Sequence, residues 1–271
     1  MSHIRVTADQ LQRELSETAR TLSIAPQLSA LFTDRKMFAS YDHFGDEGFR
    51  LVEHAEHKIM VGRHKSFPGY VFKKYSNDKP EEKQRLNYMR RIEGARLLRA
   101  FIAEHDFEHV VAPQKWLYEL PQDFPARYLV VAEGLDLASD DEAWRNYGRI
   151  SEEQTYELAT VLYCFRGLNS SAANLPFTED GRIAFIDTER WANDKDFLRK
   201  VGDRLPRDRR ELAKEIYDEL WSRGARPMRS TFKLVSRGAQ DFEREEDTSP
   251  SSELPFSLQP RRRRSRCFGG R

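Results

Sequence analysis

The sequence predicts an α+β fold with a strand-rich first half and a helical second half. Three observations favour this fold: short apolar runs between turn residues dominate up to about residue 135, one long helical segment interrupts them, and helical spacing of apolar residues prevails afterwards. The 271 residues, of which 39% are hydrophobic, suffice for one large domain or two small ones. We therefore expect two lobes, one rich in strands and one reduced and mainly helical.

This pattern divides the chain into four segments. We expect an N-terminal helical extension at 1–44, a strand-rich lobe at 45–135, a helical lobe at 136–222 and a basic tail at 223–271. No repeat of fixed period crosses these boundaries, so the chain is not expected to form a solenoid or an array.

The first elements along the chain are one helix and three strands. Thr7 and Gln10 have the spacing of a capping box, and apolar residues then recur about every four positions, which predicts an amphipathic helix. After a loop that contains two glycines, three short runs of aromatic and β-branched residues predict strands at 49–52, 57–61 and 69–75. A cluster of breaker residues, 76–80, ends the third strand.

A long helix and a pair of strands complete the first half. Pro80 suits the first position of a helix, and apolar residues recur at helical spacing from there to about His105. Two apolar runs separated by a turn that contains proline then predict an antiparallel pair, at 109–118 and 128–132.

The second half is expected to consist of helices around one short strand. Ser139 and Ser151 each stand three residues before a Glu or Gln, and this capping-box spacing predicts the start of a helix at both places. An apolar strand is expected at 182–186. Two further helices are expected at 194–203 and 207–222.

Composition excludes several classes of protein. The longest plain apolar stretch, 128–132, is far below the roughly 20 residues that a membrane-spanning helix requires. The first ten residues lack the apolar region of a secretory signal peptide. Two cysteines, Cys164 and Cys267, cannot form a disulfide framework and fit a reducing compartment. We therefore expect a cytoplasmic protein with no membrane span.

The tail differs in charge from the rest of the chain. Whereas the whole chain has 45 basic and 44 acidic residues, the segment 223–271 contains 12 basic and 6 acidic residues, with an arginine-rich run at 261–266. We expect the tail to be disordered from about residue 237 onward. The arginine run could bind an anionic partner such as nucleic acid, or an import receptor in a host cell; the alternative is a solvated tail without function.

One candidate binding residue lies near the end of the third predicted strand. Side chains alternate along a strand, so Lys73 and Lys74 lie on opposite faces, and the small Val71 shares the face of Lys73. A small neighbouring side chain leaves space for a phosphate group to approach the lysine ammonium. This favours Lys73 as the phosphate-binding residue. The alternative is that both lysines are solvated at the strand edge.

Three oxygen-bearing residues complete the candidate set. Glu93 lies beside the apolar stripe of the long helix, where its carboxylate could pair with a lysine from a strand; the alternative is an exposed glutamate among arginines. Asn174 and Asp187 carry oxygen ligands of the kind that Mg²⁺ prefers, and Asp187 ends a buried strand, where a carboxylate is costly unless paired. The alternative is that both are ordinary turn residues.

The order of these residues along the chain resembles that of the protein-kinase-like fold over roughly 45–222. Three sequence segments, FPGYVFKKY, IEGA and NLPFTEDGRIAFIDTE, also resemble compact bacterial kinases of the effector type. The resemblance implies that ATP and Mg²⁺ are bound between two lobes. Lys73 would hold the phosphates and Glu93 would orient Lys73. Asn174 and Asp187 would carry Mg²⁺.

The resemblance also assigns a hinge and a catalytic loop. Adenine would meet the backbone groups of Glu133 and Leu135, after the strand that ends at 132. Asn169 occupies the place of the catalytic aspartate, and its amide cannot accept a proton from a substrate hydroxyl. The expected activity is phosphate transfer to a protein hydroxyl by a degenerate site. The alternatives are transfer of another group, such as AMP, and a catalytically inactive pseudokinase that acts as a scaffold for a binding partner.

Two further departures from the family pattern bear on activity. No G-x-G-x-x-G motif separates the first two predicted strands, and a loop without glycines keeps its backbone farther from phosphates. Thr188 and Glu189 follow Asp187 where the family has Phe-Gly. These departures are typical of a minimal kinase or of a pseudokinase.

Overall fold

The computed structural model of the chain describes residues 8–34, 38, 44–45, 48–51, 59–75, 80–122, 124, 127–165, 168, 171–189 and 201–225. Within these residues the protein is α+β, which confirms the predicted fold class. The helices are α1 (Ala8–Thr21), α2 (Ala25–Leu31), α3 (Glu81–Glu104), α4 (Asp140–Gly148), α5 (Glu152–Cys164) and α6 (Arg207–Ser222). The strands are β1 (Phe49–Leu51), β2 (Ile59–His64), β3 (Phe67–Tyr75), β4 (Val110–Val111), β5 (Lys115–Glu119), β6 (Tyr128–Glu133) and β7 (Ile183–Ala184).

Five of the strands form one antiparallel sheet in the order β1-β2-β3-β6-β5. The register places Val61 opposite Lys73 in the β2–β3 pair, and Lys115 opposite Ala132 in the β5–β6 pair. The predicted antiparallel pair of 109–118 with 128–132 is therefore confirmed for its second part.

The first part of that predicted strand behaves differently. Val110 and Val111 form β4, which pairs in parallel with β7 from the second half of the chain. The chain leaves the strand conformation between the two segments, at 112–114. Pro113 lies in this break, and proline has no backbone N–H to donate to a continuous ladder. The break lets one apolar run join two different sheets.

One face of the large sheet is covered by α2 and a cluster of aromatic rings. The Phe44 and Phe49 rings stack with centroids 4.1 Å apart, and Phe49 meets Phe72 of β3 edge to face. Gly62 of β2 leaves room for the Phe44 ring, because a Cβ at residue 62 would lie 2.6 Å from a carbon of that ring. Trp116 and Tyr118 of β5 belong to the same buried cluster.

The opposite face packs against α3. Leu86, Met89 and Ile92 of this helix form one buried cluster with Leu117 and Val130 of the sheet. The 24-residue helix is amply long, but in the described part of the chain we find no helix that combines the length and the apolar character needed to cross a membrane.

Helix α1 covers the outer edge of the sheet at β5. The Thr18 hydroxyl donates to the carbonyl of Leu117 at 2.5 Å, and the Trp116 indole donates to the Thr21 hydroxyl at 2.8 Å. An exposed edge strand would present unpaired backbone groups to other chains, so this helix protects the edge.

A second core forms around α5 and α6. Leu162 and Phe165 pack there with Phe185, which follows β7, and with Leu98 and Phe101 from the C-terminal half of α3. Helix α3 thus contributes to the cores on both sides of the molecule. The expected domain boundaries at residues 44, 135 and 222 stay predictions.

The helices of the second half begin largely where the sequence predicts. Ser151 and Gln154 form the expected capping box at the start of α5, and the Ser139 hydroxyl accepts from the backbone N–H of Glu142 at the start of α4. The predicted helix at 207–222 is confirmed as α6. Most of the helix expected at 194–203, the residues after Ala225 and the arginine run lie outside the described residues.

Candidate functional site

Polar groups from the sheet, from α3 and from the segment after β7 meet in the interior of the protein. This segment, 185–189, contacts α3 so closely that a Cβ at Gly94 would lie 2.1 Å from the carbonyl oxygen of Thr188. The Thr188 hydroxyl donates to the carbonyl of Arg91 at 2.5 Å. We call the charged side chains gathered here the buried charge cluster: Lys73, Arg91, Lys115, Asp187 and Glu189.

Two lysines of the sheet point at the same acceptor. The Nζ atoms of Lys73 and Lys115 each donate to the carbonyl oxygen of Ile186 at 3.1 Å, and Lys115 also donates to the Thr188 hydroxyl at 2.7 Å. Both lysines are less than 10% exposed. Lys73 comes from β3 and Lys115 from β5, so two separate strands build this part of the site.

The neighbouring lysine points away from this site, as the alternation along β3 predicts. Lys74 lies opposite Met60 of β2, and Met60 belongs to the aromatic cluster on the other face of the sheet. The Nζ atom of Lys74 donates to the side-chain oxygen of Gln84 at 3.1 Å and lies 5.8 Å from the centre of the Phe38 ring. Lys74 is therefore buried, which corrects the alternative of a solvated edge lysine.

Burial lowers the pKa values of both lysines of the cluster. Desolvation lowers the pKa of Lys73 to about 8, although the nearby Asp187 carboxylate raises it. Desolvation also lowers the pKa of Lys115 well below its ordinary value, and the positive charge of Lys73 acts in the same direction. The ammonium groups of Lys73 and Lys115 therefore repel each other, and both are stabilised by the same nearby carboxylates.

Arg91 of α3 joins the two carboxylates. Its guanidinium donates to Asp187 at 2.6 Å and to Glu189 at 2.5 Å, and Nη2 also lies 3.3 Å from the Tyr75 hydroxyl. Burial raises the pKa of Asp187, but the charges of Arg91, Lys73 and Lys115 outweigh burial and hold that pKa below its ordinary value. Asp187 is therefore an ionised carboxylate that already has a cationic partner.

Glu93 does not make the contact that the sequence predicts. Its carboxylate accepts two hydrogen bonds from the side chain of Arg96, at 2.7 and 2.8 Å, whereas the Lys73 ammonium donates to Ile186. The reason is geometric: Glu93 follows Arg91 by two positions, which is about 200° around a helix, so the two side chains leave α3 in different directions. Arg91 points into the buried charge cluster, while Glu93 is close enough to Glu14 of α1 to help raise the pKa of Glu14 to about 7, after the larger effect of burial.

Asn174 lies next to the same segment as Asp187. The backbone N–H of Ile186 donates to the carbonyl oxygen of Asn174 at 3.2 Å, which brings residues from two separate loops together. The side-chain amide of Asn174 donates to the Ser171 hydroxyl at 2.9 Å. Asn169, the residue at the predicted catalytic-base position, lies outside the described residues.

The backbone at the predicted hinge is already engaged. The N–H of Glu133 donates to the carbonyl of Gln114 at 2.8 Å, and the carbonyl of Leu135 accepts from the side chain of Arg63 at 2.6 Å. An adenine ring at these two residues would have to use other backbone groups or displace Arg63. The predicted adenine contacts at Glu133 and Leu135 therefore stay predictions. At Leu135, the side chain of Arg63 occupies the carbonyl that adenine would use.

A cavity opens beside the hinge. Its volume is about 430 Å³, within the range that holds small ligands, and its lining residues are Arg50, Leu51, Arg63, Asp136, Leu137 and Glu179. Arg50 and Arg63 lie directly opposite each other in the β1–β2 pair. Val61 precedes Arg63 by two positions and pairs with Lys73, so the arginines share the sheet face of Lys73.

The residues around Asp187 fit an anion better than a divalent cation. Three cationic side chains face two carboxylates in the buried charge cluster, and Arg91 already holds Asp187. Within the described ranges no group of three or more His, Cys, Asp or Glu side chains could hold a metal ion. The expectation that Asn174 and Asp187 bind Mg²⁺ stays a prediction, but the charges in the structure argue against it.

Sequence reasoning missed three of the five charged residues: Arg91, Lys115 and Glu189. Lys115 could have been found, because it shares the alternation of Leu117 in β5 and therefore the face that packs on α3. Nothing in the sequence distinguishes Arg91 from the other arginines of α3.

No protein-family model and no curated protein matches the chain.

Proposed function

We propose that the chain is a kinase-like nucleotide-binding protein whose ligand lies between the antiparallel sheet and the segment 174–189. One observation carries the proposal: Lys73, from β3, meets Asn174 and Asp187, from the second half of the chain, around Ile186. Lys73 donates to the Ile186 carbonyl, Asn174 accepts from the Ile186 N–H, and Asp187 is the next residue in the chain. The kinase-like resemblance implies such a meeting of a strand lysine with two residues from later loops.

The arrangement of the sheet and α3 supports the same proposal. The long helix lies in sequence between β3 and the β5–β6 pair, and it packs on the sheet face that carries Lys73. Helix α3 contributes to the buried cluster on one face of the sheet and to the core around α5 and α6, as the helix between the lobes of a two-lobed protein would. The cavity is lined by Asp136 and Leu137, which directly follow in sequence the residues Glu133 and Leu135, where the resemblance places adenine.

In this proposal the residues act mainly by binding and orienting phosphates. The ammonium group of Lys73 attracts phosphate oxygens, because a charge-assisted hydrogen bond is stronger than a neutral one. Arg91 fixes the Asp187 carboxylate beside this ammonium group. Phosphate transfer depends mostly on such positioning and on neutralisation of charge, so a site of this kind could support slow transfer without a general base.

A second candidate function is that of a catalytically inactive pseudokinase, which binds nucleotide and serves as a scaffold. The ion pair between Arg91 and Asp187 favours it, since it engages the carboxylate that would otherwise act on a metal ion. Nucleotide binding is common to both candidates. Transfer of phosphate separates them.

Nucleotide binding is tested by the thermal stability of the full chain with ATP in the presence of Mg²⁺. A ligand at about one hundred times its dissociation constant stabilises the native state by about 2.7 kcal/mol, so a clear rise of the melting temperature is expected. Lys73→Met is expected to abolish this rise, because it removes a phosphate-binding cation. Lys214→Met, the same change at an exposed position of α6, is the control. A wild-type chain that does not respond to ATP contradicts the proposal.

Phosphate transfer is tested by Asn169→Asp. If the site is a degenerate kinase, this change restores a general base and is expected to raise the rate of transfer from radiolabelled ATP by about 10²-fold or more. ATP-dependent stabilisation without any gain in transfer would favour the pseudokinase. The measurement is incorporation of label into the chain and into a generic protein substrate.

A further inference from the structure

When Lys73 and Lys115 are both protonated, the buried charge cluster holds more positive than negative charge. Lys73, Lys115 and Arg91 face Asp187 and Glu189, and each of the three cations is less than 10% exposed. Charges buried away from water are stable only when they are paired. One cation of the cluster therefore lacks a carboxylate among the described residues, which is the electrostatic condition for binding an anion.

Lys73 has hydrogen-bonding capacity in reserve. Its ammonium group has three donors, whereas the carbonyl of Ile186 is its one acceptor among the described residues. Lys115 shares that carbonyl and also donates to Thr188. Two lysines that converge on one neutral acceptor leave donors for the oxygens of a further anionic group.

Asp187 is already neutralised by a residue of the protein. Arg91 donates to it at 2.6 Å from a helix that is fixed in place by the Thr188–Arg91 hydrogen bond. A divalent cation on Asp187 would have to displace Arg91 or lie beside three positive side chains. In either case it would increase the net positive charge of the cluster.

We propose that the site binds the phosphates of a nucleotide as an anion free of divalent metal, held by Lys73 and Lys115, with Arg91 as the counter-ion of Asp187. The inference rests on the proposed function for the identity of the ligand. It goes beyond that function because it assigns Lys115 to phosphate binding. It also assigns to Arg91 the charge-neutralising position that a metal ion would otherwise take.

The test measures ATP binding to the full chain by calorimetry, once with excess EDTA and once with excess Mg²⁺. Binding in EDTA is expected to be at least as tight as in Mg²⁺, because uncomplexed ATP has the greater negative charge. Inorganic tripolyphosphate in EDTA is expected to compete with ATP, since the proposal places the contacts on phosphate oxygens. ATP binding that requires Mg²⁺ overturns the inference and leaves the proposed function standing. Failure of ATP to bind in both conditions overturns both.

Lys115 is tested separately from Lys73. Lys115→Met is expected to weaken ATP binding in EDTA by about tenfold or more, which is the scale of one lost charge-assisted hydrogen bond. Lys214→Met on the surface of α6 is expected to leave binding unchanged. Unchanged affinity in a Lys115→Met chain that melts cooperatively overturns the assignment of Lys115. Should that variant not fold, the comparison of EDTA with Mg²⁺ on the wild-type chain still decides the inference.

Discussion

Arg91→Met is expected to lower the free energy of unfolding by about 3–5 kcal/mol, which is the loss typical of removing one partner from a buried ion pair. The change leaves two carboxylates, Asp187 and Glu189, without the guanidinium that donates to both of them. Glu189 is 1% exposed, so water cannot replace the lost partner at that position. Denaturant unfolding followed by circular dichroism measures the effect.

A matched control and a rescue separate this explanation from a general loss of side-chain packing. Arg207→Met removes an exposed pair with Glu211 in α6 and is expected to change stability by less than about 0.5 kcal/mol. Adding Glu189→Gln to Arg91→Met is expected to recover part of the loss, because it removes a buried negative charge that has lost its arginine partner. An Arg91→Met chain as stable as the Arg207→Met chain would contradict this description of the cluster.

Gly94→Ala is expected to destabilise the protein by about 3 kcal/mol, at the upper end of the usual range for overpacking. The added Cβ would lie 2.1 Å from the carbonyl oxygen of Thr188, and backbone atoms on both sides must move to relieve the clash. The movement would separate α3 from the segment 185–189. We therefore expect ATP-dependent stabilisation to fall along with stability.

The control for this substitution is Gly148→Ala. Gly148 ends α4, and nothing lies within 4 Å of a Cβ added there, so alanine is expected to leave stability unchanged or to raise it slightly. Both variants replace a helical glycine by alanine and differ in the space around the new Cβ. Equal melting temperatures for the two variants would show that α3 does not pack against Thr188 as described.

The sequence was most informative where local rules decide the structure. The alternation along β3 correctly separates Lys73 from Lys74, because a pleated strand has only two faces. The capping box at Ser151 correctly marks the start of α5, because its hydrogen bonds lie within one turn. Such features depend on neighbouring residues and on no distant contact.

The sequence was less informative where distant elements decide the partner. Glu93 and Arg91 are two positions apart on α3, and only the rotation of that helix against the sheet determines which of them faces Lys73. Pro113 marks the break in the strand expected over 109–118, but the strand that Val110 joins is β7, more than 70 residues later in the chain. The choice of partner in these two cases does not follow from propensity or spacing.

The most direct test of the nucleotide site is a chemical one. An acyl phosphate of ATP transfers its acyl group to a lysine amine that lies beside the bound phosphates, with release of ATP, and mass spectrometry of the peptides then identifies that lysine. We expect labelling of Lys73 or Lys115 that excess ATP suppresses, because both Nζ atoms lie 3.1 Å from the Ile186 carbonyl at the centre of the site. Labelling confined to exposed lysines such as Lys214, with no suppression by ATP, would contradict the assignment of the buried charge cluster to a nucleotide site.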